Sequence, residues 1–85
     1  MPQFKRIAVV GAGLIGGSVL LAAARRQLAG SLAGWSRSAE ARALLKSYAV
    51  AEIFDNPVEA VRGADIVIVA TPVDKMEETF RAISP

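Results

Sequence analysis

The chain has 85 residues, of which 53% are hydrophobic, with ten Lys and Arg against eight Asp and Glu for a formal net charge of +2. That length allows one small domain burying about 60% of its unfolded surface, and the basic residues are scattered, which argues against a nucleic-acid partner and a polybasic membrane anchor. No cysteine and no histidine occur, so disulfides, thiolate or imidazole metal sites and histidine-based catalysis within this chain are excluded.

The opening MPQFKRIAVV enters a strand over Lys5 to Val10, charged at one end only, as a buried parallel strand should be. Its apolar run is too short for a signal peptide, which predicts a cytoplasmic protein, and no stretch approaches the roughly twenty apolar residues of a membrane span. The strand runs straight into GAGLIG, a GxGxxG turn that leads into the helix-forming, alanine-rich SVLLAAARRQLAG. In that context the turn predicts a dinucleotide site. Gly11 allows the tight turn, Gly13 removes the Cβ that would block a pyrophosphate, and Gly16 lets the helix lie close to the strand. The first amides of the helix, on Leu14, Ile15 and Gly16, have no intrahelical acceptor and face any anion over the turn.

The helix is expected to end near Ala29, with Gly30 as a left-handed cap and Arg25 and Arg26 complementing its dipole. Ser31 to Trp35 reads as a second strand, and Ser36 or Ser38 as the cap of a helix through AEARALLKSY. A short third strand is expected around Ala51 to Phe54. Asn56, Pro57 and Glu59 form a helix-start signal, and Gly63 closes that helix. Ala64 to Ala70, ADIVIVA, is the clearest strand of the chain, and Thr71 and Pro72 then start a last helix, VDKMEETFRAI. The alternation predicts a βαβαβαβα, truncated Rossmann-type doubly wound parallel sheet of order 3-2-1-4. Trp35 reads as core at a strand end, with a flank of the adenine pocket as the alternative, and Met76, Phe80 and Ile83 read as the packing stripe of the last helix.

Cofactor preference follows from position. An NAD-binding fold carries an acid at the end of the second strand to hold the adenine ribose. Here that place holds Trp35, Ser36, Arg37 and Ser38, and the nearest carboxylate in sequence, Glu40, lies inside the next helix. Arg37 offers a charged fork to a 2′-phosphate, and Ser36 and Ser38 offer hydroxyl donors, so NADP is expected in preference to NAD.

GAGLIGGS, GWSRSAE and ADIVIVATPVDKM together resemble the amino-terminal cofactor domain of prephenate and arogenate dehydrogenases, the oxidative decarboxylases of tyrosine biosynthesis. The resemblance covers nearly the whole chain, and the pairing of GLIGGS with ATPVD is its most specific part. It implies that Gly11, Gly13 and Gly16, with the backbone of Leu14 and Ile15, hold the pyrophosphate, and that Thr71, Pro72 and Val73 line the cofactor cleft. Ser36 stands where many NAD-using members carry Asp, and Ser-Arg-Ser resembles the NADP-using, arogenate-type members.

The resemblance also implies that a histidine beyond a further strand, and a carboxy-terminal helical domain that makes the substrate pocket and the dimer, lie outside residues 1–85. Asp74, Lys75 and Glu77 read as an exposed helix face, so no catalytic residue is assigned. The chain is therefore expected to be the amino-terminal part of a dinucleotide-binding domain, inactive alone and self-associating, most simply as a homodimer, by pairing the open edge of its IVIV strand or by burying the uncovered sheet face and last helix against a second copy; a monomer whose last helix folds back over the edge is the competing outcome. A non-catalytic nucleotide-sensing module is the alternative from another class. Within the enzymes, the alternatives are other reductases with the same turn, of pyrroline-carboxylate or hydroxyacid type.

Overall fold

A computed structural model describes residues 3–11, 13–71 and 73–83, excepting the side chains of Gly13, Leu14, Val73 and Asp74. Strands and helices alternate through β1 (Phe4–Gly11), α1 (Gly13–Arg25), β2 (Ala29–Trp35), α2 (Ala39–Ser47), β3 (Glu52–Ile53), α3 (Pro57–Val61), β4 (Ile66–Ala70) and α4 (Val73–Ile83). The sheet is parallel throughout, in the order β3-β2-β1-β4 expected from the sequence. β1 is paired on both sides, matching Ile7 to Leu32 and Ile66, and Val9 to Gly34 and Ile68.

The pleat distributes these residues between two layers. Ile7, Val9 and Leu32 join Leu20 and Ala23 of α1 and Leu45 of α2 in the core, with Ile68 packed against them. On the opposite face Ala8, Val10 and Ala33 are fully buried, as is Ala60 of α3, and α3 in turn meets α4. β4 is less protected than β1: Val67 remains 37% exposed although Ala8, its partner in β1, is fully buried.

The amino edge of the sheet is laced by polar side chains from β1, β2 and β3 and from the residue just before β4. The Arg6 guanidinium donates to Ser31 Oγ at 3.0 Å and to Glu52 Oε1 at 3.3 Å, and it lies 6.0 Å from the centre of the Phe54 ring. Ahead of β4, the Asp65 carboxylate accepts from the Lys5 and Arg6 backbone amides, while its own amide donates to the Arg6 carbonyl at 2.9 Å.

Several local expectations change. α1 ends at Arg25, four residues early, because Gln27 takes the left-handed conformation (φ 52°) and the Leu28 amide turns back to the Ala23 carbonyl at 3.1 Å. Gly30 is consequently not a cap but a residue of β2, which begins at Ala29. Ser38, not Ser36, caps α2 by accepting from the Ala41 amide at 3.0 Å. Asn56 caps α3 as read, accepting from the Val58 amide at 2.8 Å, and Gly63 takes φ +76° after it. On α4, Phe80 of the expected packing stripe is 48% exposed. The residue buried instead is Thr79, whose hydroxyl donates to the Lys75 carbonyl one turn back at 3.0 Å and so loses no hydrogen bond on burial.

Candidate functional site

The carboxyl ends of β1, β2 and β4 lie side by side, and the sequence-predicted site residues gather there. β1 ends at Gly11, paired with Ala70 at the end of β4. Gly11 has φ +137°, and a Cβ on it would stand 2.4 Å from the Ala70 carbonyl carbon and 2.6 Å from the Thr71 nitrogen. Two independent constraints therefore demand glycine: a backbone conformation closed to L side chains, and a backbone approach that leaves no room for one. The second constraint joins the glycine turn to the Thr71 segment, although sixty residues of sequence separate them.

α1 begins at Gly13, placing its amino end at this edge. Its thirteen residues carry a dipole, and the amides of its first turn lack intrahelical acceptors, the chemistry of an anion site. Ile15 is 61% exposed on that turn. Gly16 behaves as the glycine motif suggests only loosely, since a Cβ there would meet Val9 Cγ1 at an ordinary 3.4 Å. The tighter packing glycine is Gly17, where a Cβ would come within 2.7 Å of the Tyr48 ring and 3.3 Å of Leu45. It seats α1 against the end of α2, a role hidden in sequence because GxGxxG draws the reading to its neighbour.

Two buried polar atoms at this edge have no partner: Trp35 Nε1 at the end of β2 and Thr71 Oγ1 just after β4. Orphaned polar atoms of this kind are rare, because each forgoes a hydrogen bond it would make in water. Of the remaining cleft residues named from sequence, Pro72 lies outside the described residues. Val73 opens α4.

The loop after β2 is held from below. Arg42, from the second turn of α2, donates through Nη1 to the Ser36 carbonyl at 2.8 Å and to the Arg37 carbonyl at 3.0 Å, and its Nε lies 3.5 Å from Asp55 Oδ1. Sequence reading missed this residue, which lies six and five positions along the chain from the two carbonyls it holds. Ser36 is only 3% exposed beneath the loop. Ser38 keeps its hydroxyl proton available while its oxygen caps α2. Arg37 extends outward with its side chain 53% exposed.

The acid nearest to Arg37 in sequence, Glu40, belongs to the first turn of α2, but the carboxylate that pairs with Arg37 comes from far along the chain. Glu78 of α4 brings Oε2 to 3.1 Å from Arg37 Nη2. The hydrogen bond from Arg37, then its positive charge, lower the Glu78 pKa from the ordinary carboxylate value, with a smaller contribution from Lys75. Nothing in the local sequence of either residue signals this pair.

These residues fit a dinucleotide. The Gly11 turn leaves a bare backbone, α1 offers unpaired amides to a pyrophosphate, Thr71 and Trp35 have unused hydrogen-bonding capacity, and Arg37 with Ser38 can take an additional phosphate. Among the described residues no group of three or more Asp or Glu is arranged to hold a metal ion, and no helix is long and apolar enough to cross a membrane. Residues 6–85 match a family model described as NADP oxidoreductase, coenzyme F420-dependent. No curated protein matches the chain significantly.

Proposed function

We propose, from the premise that this chain belongs to the NADP oxidoreductase, coenzyme F420-dependent family, that it holds NADP(H) in preference to NAD(H) for hydride transfer. The family carries an NAD(P)-binding oxidoreductase domain; the choice of NADP is the step added here. Its support is the carboxyl edge of the sheet, where the Gly11 turn, the start of α1 and the orphaned Thr71 hydroxyl meet, with Arg37 presented at the end of the neighbouring strand. The amides of Leu14, Ile15 and Gly16 would bind the pyrophosphate, and Arg37 and Ser38 the 2′-phosphate, with Arg42 fixing the loop that carries them. Thr71, with Pro72 and Val73, would line the cleft and orient the cofactor. When bound, the nicotinamide supplies the hydride chemistry.

Titration calorimetry with NADP+ and NAD+ tests the assignment. Arg37→Ala should weaken NADP+ by on the order of 1.5 to 3 kcal/mol, roughly ten- to a hundredfold, and NAD+ little. Equal losses for both cofactors would overturn the 2′-phosphate assignment.

For the substrate, the combination of GLIGGS with ATPVD supports oxidative decarboxylation of prephenate or arogenate. On this reading a histidine and a helical substrate domain come from polypeptide outside these 85 residues, in a cytoplasmic homodimer in which the outer edge of β4 is covered. The 85-residue chain then yields no reduced nicotinamide from either acid, because it holds no histidine to take the substrate proton; turnover above a heat-killed control would sink that reading. The family description favours a second reading, with coenzyme F420 as the hydride partner. In the intact protein, NADP+ reduction driven by prephenate or arogenate supports the first, and hydride exchange with coenzyme F420 the second.

A further inference from the structure

Arg37 leaves the end of β2, and Glu78 sits on α4, beyond β4; the fold alone brings them together, at 3.1 Å. Among the described residues, Lys75 also bears on the Glu78 carboxylate and Glu40 lies in the first turn of α2, while two other charged groups nearby are already paired. Glu77 pairs with Arg81 at 2.7 Å on the outer face of α4. Arg42 is engaged with the Ser36 and Arg37 carbonyls and with Asp55. Glu78 is thus the anion resting on the one guanidinium that projects from the cofactor-specificity loop, and both side chains of the pair are more than half exposed.

We propose that Glu78 is a built-in competitor for Arg37, an internal anion that a phosphorylated dinucleotide must displace and an unphosphorylated one need not. The inference rests on the reading of Arg37 as the 2′-phosphate partner. A guanidinium recognises a phosphate best when its fork is free for two parallel hydrogen bonds. In the resting chain one arm of that fork holds the Glu78 carboxylate. A 2′-phosphate arriving beside an ionised carboxylate meets repulsion, so the Glu78 side chain must swing away, which its exposure on the surface of α4 allows. The displaced contact is an exposed ion pair, a class whose removal changes an equilibrium by a factor of no more than about five. An NAD-type cofactor carries no group that calls for Arg37, and its complex keeps the pair. Glu78 therefore tempers the preference for NADP without touching the pyrophosphate site, and it links cofactor choice to the position of α4.

The test is titration calorimetry of NADP+ and NAD+ on the 85-residue chain, comparing Glu78→Gln with Glu77→Gln. Both variants remove one negative charge from adjacent exposed positions of α4, but only the first frees Arg37. Glu78→Gln should tighten NADP+ about two- to fivefold and leave NAD+ within experimental error; Glu77→Gln should leave the ratio of the two affinities unchanged. In the Arg37→Ala background, Glu78→Gln should no longer affect NADP+. The proposal is overturned if Glu78→Gln weakens NADP+, if it leaves the NADP+ to NAD+ ratio unaltered, or if Glu77→Gln shifts that ratio as much. Arg37→Ala alone separates the two levels of inference. A selective loss of NADP+ with no response to Glu78→Gln removes the competitor and leaves the 2′-phosphate reading standing. An equal loss of both cofactors removes the reading and the competitor with it.

Discussion

The two ends of the sheet are built from the same four strands and treat their polar groups in opposite ways. At the amino end, Arg6, Ser31, Glu52 and Asp65 bond to one another and to the strand backbones, and Arg6 Nε is the one buried side-chain atom of the group left without a partner. At the carboxyl end, Thr71 and Trp35 each leave their sole side-chain polar atom buried and unpaired, and Gly11 holds a backbone conformation that L side chains rarely adopt. The difference separates two duties. One end spends its polar residues on holding strands in register, and the other keeps hydrogen-bonding capacity and bare backbone in reserve for something outside the chain, as expected where an open α/β sheet binds its ligand.

Substitutions at the two ends should therefore differ in what they damage. Gly11→Ala should have the largest effect, because a methyl group must be fitted at φ +137° against the Ala70 carbonyl; a loss of about 3 to 5 kcal/mol in urea unfolding is expected. A loss below about 1 kcal/mol would mean that the turn relaxes and that the seam between β1 and β4 is not rigid. At the amino end, Asp65→Ala removes the acceptor for the Lys5 and Arg6 amides and should cost about 1 kcal/mol, with cofactor affinity unchanged. Thr71→Val should show the reverse. Replacing an unpartnered buried hydroxyl by a methyl of the same shape should be neutral or stabilising by up to about 1 kcal/mol, while dinucleotide binding measured by calorimetry weakens. If Thr71→Val destabilises the chain as Asp65→Ala does, the hydroxyl serves the fold and the contrast between the two ends fails.

What could be read from sequence divides along a related line. Everything set by short-range chemistry was legible. The apolar run into GxGxxG, the Asn56-Pro57 start of α3 and the ADIVIVA strand each appear where their local signals place them, and their alternation suffices for the sheet order. The end of α1 was not, because Gly30 is the better left-handed residue by intrinsic preference, and pairing of Phe4 with Ala29 draws Gly30 into β2 and leaves Gln27 to make the turn. The site shows the same division. The glycine turn and the Ser36-Arg37-Ser38 loop lie at fixed distances along the chain from the first strand. The Gly11 contact with Ala70 and the Arg37 pair with Glu78 arise only when β4 lies down beside β1. Arg42 stands between the two cases: its helix was predictable, but a cation four residues after a helix cap has no signature that distinguishes pinning a loop from facing solvent.

Trp35 is the only tryptophan in the chain, and its indole N–H is buried without a partner at the end of the strand that carries Arg37 two residues later. Indole emission shifts with the polarity and hydrogen bonding of its surroundings, so this orphaned donor doubles as an intrinsic optical probe. Emission excited at the long-wavelength edge of indole absorption comes from one known place in the fold. Any ligand that settles over the β2 loop, or any movement of α4 that releases Arg37, can be followed in the emission of the unlabelled chain, with no dye to perturb a domain this small.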